Sequence, residues 1–104
     1  ALMTVLAGSA LTAVTVGCVA APIVEELLYR GMLYRSLRSS YGSALSLLSS
    51  TVLFTLDHSL TAAVPVFCAS VCMTLALERS RSLYAAVLVH MLYNGVAALS
   101  ALQG

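Results

Sequence analysis

Charge is what this 104-residue chain has least of. Only 9% of its residues are Asp, Glu, Lys or Arg, against 61% hydrophobic, and the mean hydropathy is +0.99. A soluble domain of this size carries roughly 25% charged residues. A water-facing surface could not be covered, which excludes an ordinary soluble fold and predicts an integral, multi-pass membrane protein in contact with the lipid bilayer. The net charge of +1 points to no acidic partner, and without a basic patch nothing predicts a nucleic-acid partner. No charge precedes Glu25, so the opening segment lacks the basic flank of a signal peptide. The chain opens on Ala1 without a methionine, from which we expect a piece of a longer protein. Three cysteines, Cys18, Cys68 and Cys72, lie in apolar runs; an odd count there argues against a disulfide framework and leaves small packing residues. Low-complexity tracts, long linkers and repeats are missing, so residues 1–104 read as a single domain. The apolar runs are continuous rather than alternating, which argues against barrel strands. The fold class is therefore all-α, a polytopic transmembrane bundle of four to five helical segments.

The expected segments are 1–21, 23–38, 43–57, 62–77 and 83–102. The first has the length of a membrane span. Pro22 either opens a new helix or kinks a continuous one. An unbroken helix to Arg38 would be about 57 Å long at 1.5 Å per residue, longer than a bilayer core. We therefore expect a break or kink near Gly17–Pro22, or a long helix that leaves the membrane. Turns are expected at 39–42 and 59–61, and a polar loop at 78–82. Arg35 and Arg38 close one segment, and Arg79 and Arg81 sit in a loop one hairpin later. All four then face one side, which the positive-inside rule makes the cytoplasm or its equivalent.

Against this lipid-soluble background, Pro22-Ile23-Val24-Glu25-Glu26-Leu27-Leu28-Tyr29-Arg30-Gly31 stands out. Ionisable groups at membrane depth are costly and usually functional. Measured from the basic side by helical rise, Glu25 lies about 20 Å deep, His58 about 24 Å, His90 about 12 Å and Asn94 about 18 Å. Three segments thus bring polar groups into one band. His90 and Asn94 share a face at i, i+4; so do Glu26 and Arg30, in the favoured acid-first order. That pairing neutralises Glu26 and leaves Glu25, about 100° around the helix, to face something else. Taken singly, each feature has a structural explanation: a packing histidine, an asparagine tying helices together, a purely structural ion pair, Asp57 capping a helix end or facing water. Taken together, they favour a buried catalytic site.

A carboxylate enclosed by apolar surroundings suits general-base work on water near neutral pH. Imidazoles and an amide can polarise a carbonyl and hold a developing oxyanion. Alternatively, Glu25, His58 and His90 form a set that could hold Zn²⁺ with a position open for water. Both routes give hydrolysis. The chain carries no Ser-His-Asp order, P-loop or dinucleotide fingerprint, and no helix with two histidines flanking a glutamate. Two non-enzymatic readings are an immunity or scaffold protein, which would work without Glu25 and His58, and a proton or ion pathway, which would conduct without cleaving.

Glu25-Glu26-Leu27-Leu28-Tyr29-Arg30 resembles the EExxxR motif of the CPBP (CAAX protease and bacteriocin-processing, Abi-type) intramembrane proteases. Phe54-Thr55-Leu56-Asp57-His58 resembles their FxxxH motif, and His90-Met91-Leu92-Tyr93-Asn94 their HxxxN motif. The three occur in the family's order and span roughly residues 20–98. The resemblance implies an all-helical membrane fold with a sunken active site, shared with the eukaryotic CAAX prenyl endopeptidases, and a peptide or membrane-anchored protein substrate cut in CAAX-type C-terminal processing. It implies Glu25 as the residue activating water and His58 as the one binding or polarising it. His90 and Asn94 would stabilise the oxyanion, with Glu26 and Arg30 as supports. Both zinc-dependent and metal-free glutamate mechanisms are consistent with the resemblance. Asp57 departs from the pattern, standing where the family usually has a small or apolar residue, and full members carry further helices.

Overall fold

In hydrocarbon each backbone polar group needs a partner within its own segment, and helices supply one. The computed structural model describes residues 2–103, in which four helices and no strand occur. Ala1 and Gly104, the ends of the expected domain, lie outside the described residues. Helix α1 is Leu2–Tyr41, α2 is Ser43–Leu56, α3 is Ala63–Ser80 and α4 is Leu83–Gln103. A 3₁₀ turn, Leu60–Ala62, leads into α3. α1, α3 with its leading turn, and α4 are each long and apolar enough to cross a membrane. The chain is an integral membrane protein.

One open alternative is decided and two expectations need correction. The two segments on either side of Pro22 are one helix of 40 residues, the long-helix alternative rather than the break. At 1.5 Å per residue it is about 60 Å long, which matches the molecule's 56 Å long axis. The helix survives its proline because it is wound wider at Val16–Ala20, just ahead of Pro22, and again at Leu27–Tyr34, both in π geometry. The turn placed at 39–42 shrinks to Gly42, at φ +84° and ψ 175°, a region essentially reserved for glycine. The loop placed at 78–82 shrinks to Arg81 and Ser82, since α3 runs on to Ser80.

The wider winding also sets which face of α1 is buried. Pro22, Glu26, Arg30 and Tyr34 are the buried residues, at every fourth position. An α turn takes 3.6 residues, so that spacing drifts by about 40° per step. A π turn, with i→i+5 bonds, is wider and offsets the drift. The stripe therefore stays on one side and faces the other three helices. Opposite it, α2 buries Ser46, Ser50, Thr51 and Phe54, and α3 buries Val66, Ala69, Ser70, Met73, Thr74 and Leu77. Small residues let membrane helices approach closely. Some of their hydroxyls turn back along the chain, as Ser46 does to Gly42 O (2.6 Å) and Thr74 to Ser70 O (3.0 Å). The core is Tyr34, Phe54, Val66, Ala69, Met73, Leu77 and Ala86. It lies beside the C-terminal half of α1, and the described side chains of α1 before Cys18 are all exposed.

Candidate active site

Within α1 the expected pair forms: Arg30 Nη1 donates to Glu26 Oε2 at 3.1 Å, with both side chains fully buried. Arg30 does more than neutralise Glu26. Its Nη2 donates to Ser70 O at 2.9 Å and to Ser70 Oγ, its Nε reaches Thr74 Oγ1 at 3.4 Å, and its guanidinium lies 4.6 Å from the centre of the Phe54 ring. Ser70 Oγ in turn donates to Thr51 Oγ1 at 3.2 Å. One cation thereby ties α1 to α2 and α3. A buried charge without such partners would be prohibitive at this depth.

The same Glu26 oxygen reaches α4, standing 2.7 Å from His90 Nδ1. An ionised carboxylate only accepts, so Nδ1 carries the proton and the Nε2 of the neutral ring is bare. His58 follows the same logic. Its Nδ1 is 2.7 Å from the Phe54 carbonyl, which also only accepts, so its Nε2 is bare too. Both bare nitrogens face Glu25. His90 Nε2 is 3.6 Å and His58 Nε2 3.9 Å from Glu25 Oε2. That oxygen is buried without a hydrogen-bond partner, although the side chain as a whole is 32% exposed. Three acceptors, from α1, α4 and the turn that follows α2, thus converge, and a group bringing protons would satisfy them. The Phe54 ring packs beneath, 4.5 Å from the His58 ring and 5.5 Å from the His90 ring. Tyr29 meets it edge-on at 5.0 Å.

The chain matches the family model described as Rce1-like, type II CAAX prenyl endopeptidase Rce1-like, over residues 7–96. The chain belongs to this Rce1-like family. No curated protein and no solved structure gives a match. Rce1-like proteins are membrane endopeptidases of CAAX type, and the three sequence motifs lie wholly inside the matched residues.

Of the residues singled out in the sequence, Glu25, Glu26, Arg30, His58 and His90 are linked by direct contacts. Asn94 is held elsewhere: its Nδ2 donates to Gly17 O at 2.9 Å. Asp57 is exposed and accepts from Tyr29 Oη at 3.2 Å. Sequence reasoning missed the bond from Glu26 to His90, and it missed Ser70 and Thr74. The signal for the last two was there: two hydroxyls at i, i+4 in an otherwise apolar helix share one face.

The donor chemistry suits zinc, since two imidazoles with bare Nε2 atoms, each oriented through Nδ1, and a carboxylate are ordinary zinc partners. The spacing does not. Ligands of a tetrahedral zinc at bond lengths near 2.1 Å stand about 3.4 Å apart, and His58 Nε2 is 3.9 Å from Glu25 Oε2. Among the described residues no three His, Cys, Asp or Glu side chains form a group that could hold an ion. No step below runs through one.

Proposed function

We propose that this protein is a membrane-embedded endopeptidase in which Glu25 is the general base and the nucleophile is water. The observation that carries this reading is the buried, unpartnered Oε2 of Glu25 facing two imidazole nitrogens which, in neutral rings protonated at Nδ1, have no hydrogen to donate to it. A water at that point has two O–H bonds for three acceptors. One O–H is directed at Glu25, and the other is accepted by the bare Nε2 of His58 or of His90. Attack by its oxygen on a peptide carbonyl transfers that proton to Glu25. Glu25 then returns it to the leaving nitrogen as the C–N bond breaks, so no proton is gained or lost. Glu26 and Arg30 keep the proton of His90 on Nδ1 and its Nε2 free. Apolar surroundings strengthen each of these contacts. The substrate class, a membrane-anchored protein trimmed near its C-terminus, rests on the family. The basic end carrying Arg35, Arg38, Arg79 and Arg81 is assigned to the cytoplasmic side by the positive-inside rule.

The test is Glu25→Gln in proteoliposomes with a prenylated reporter peptide. Removal of a general base lowers kcat by about 10²–10⁴-fold. The unfolding midpoint should stay where it is, because Oε2 makes no hydrogen bond that the amide would lose. Undiminished cleavage would sink the assignment. A strong chelator should leave the rate unchanged. Loss of activity that Zn²⁺ restores would instead put an ion among Glu25, His58 and His90.

A further inference from the structure

Backbone bookkeeping around Pro22 assigns Asn94 a part that its motif does not suggest. In the π turn Val16–Ala20 the Ala21 N–H reaches back to Val16 O, five residues away. Gly17 O therefore loses the donor it would have in an α turn. The next donor in the π register is residue 22, which is proline and has no N–H. Gly17 O is thus deprived of both backbone donors that ordinarily serve it, in a helix surrounded by apolar sequence, where an unpaired carbonyl is costly. Asn94 Nδ2 fills the place at 2.9 Å. Nothing about the glycine side chain requires this arrangement: a Cβ at Gly17 would meet no atom within 4 Å.

The location gives the bond its leverage. Cys18 is the first half-buried side chain among those described in α1, and the described side chains before it are exposed. On one side of the bond, Ala13, Val14, Ala97 and Ala98 line a cavity of about 380 Å³ between α1 and α4. Among the described residues, Asn94 to Gly17 is the hydrogen bond between the two helices that lies nearest the start of α1. His90 lies one turn back along α4 on the same face, with its Nε2 only 3.6 Å from Glu25 on α1. Whatever holds α4 against α1 also sets that spacing.

We infer that Pro22 frees the Gly17 carbonyl as an acceptor for Asn94, and that Asn94 is a positioning residue that latches α4 to α1 and so places His90 against Glu25. The latch itself does not depend on the proposed proteolysis; only its effect on rate does.

Two measurements on Asn94→Ala, Pro22→Ala and the double variant test it. The first is spectroscopic and needs no activity. Gly17-Cys18 is the only Gly-Cys pair in the chain, so carbonyl-¹³C glycine with ¹⁵N cysteine isolates the Gly17 carbonyl in NMR of the protein in bilayers. Its resonance should move upfield in Asn94→Ala, as a lost hydrogen bond requires. In the double variant the backbone N–H restored at position 22 should return it. The second is kinetic. Asn94→Ala should lower kcat about three- to fifteenfold, the worth of one interhelical hydrogen bond in a membrane. The double variant should be no slower than Pro22→Ala alone, because the two changes remove one interaction. An unmoved Gly17 resonance in Asn94→Ala overturns the latch. A kcat loss of about 10²–10³-fold in either background, the size expected for an oxyanion donor, overturns the positioning role and makes Asn94 catalytic. If the resonance moves as stated but the unmutated protein does not cleave either, the latch stands and the proteolytic reading fails.

Discussion

Arg30 carries more of the interior than its place in a six-residue motif suggests. It pairs with Glu26, donates to Ser70 and Thr74 and stacks on Phe54, all without exposure to solvent. Arg30→Ala would leave Glu26 as an uncompensated buried charge, and the expected cost is about 3–5 kcal/mol. Arg30→Lys should recover little of it, since an ammonium cannot match the planar fork that reaches three partners at once. Thermal unfolding in detergent checks both; a midpoint within a degree of the parent protein would contradict the network. The Glu26–Arg30 pair was legible because both residues lie on one helix and helical spacing alone brings them together. Their bonds to Ser70, Thr74 and His90 were not, since sequence spacing says nothing about how neighbouring helices are rotated.

Among the elements, α1 and its exit are where expectation and structure part. A proline inside a hydrophobic run reads as a break, yet local π winding absorbs it, and the composition of Val16–Ala20 does not announce such a turn. The end of α3 shows the converse. Glu78-Arg79-Ser80 reads as loop by polarity, but Glu78 accepts from Tyr34 Oη and from Arg38 Nε at 2.8 Å, which keeps the last turn of α3 wound against α1. Between α1 and α2 only Gly42 interrupts the helices. Its backbone lies where a side chain is strained, so Gly42→Ala should destabilise the protein by about 1–3 kcal/mol. A Cβ there would touch nothing within 4 Å, so the loss would report backbone strain alone. An unchanged denaturation midpoint would show that this turn can relax.

For the whole molecule, both basic turns lie at the same end. Arg35, Arg38 and Arg81 line one cavity of about 400 Å³ together with Tyr34 and Glu78. If that end faces the cytoplasm, as the positive-inside rule requires, a cysteine placed at exposed Ser40 should react with an impermeant thiol reagent only from the cytoplasmic side. Cys18, Cys68 and Cys72, all free thiols, are first replaced by alanine or serine. Labelling from the opposite side would invert the topology and the direction of substrate access. That Arg35, Arg38 and Arg81 gather at one end agrees with the loop charges read from the sequence; the labelling tests which side of the membrane that end faces.

By itself the sequence determined that the chain belongs in a membrane, that it is helical, and that its two adjacent glutamates, Arg30 and both histidines fall within three ordered motifs. Hydropathy, continuous apolar runs and short spacings carry that information, and each depends only on neighbours along the chain. The tertiary structure decided which atoms meet. It gave Glu26 to both Arg30 and His90, left Glu25 facing two bare nitrogens, and joined Asn94 to a carbonyl that Pro22 cannot serve. Those outcomes depend on the rotation and register of packed helices, which small residues on α2 and α3 and wider winding in α1 settle only after the helices are in contact.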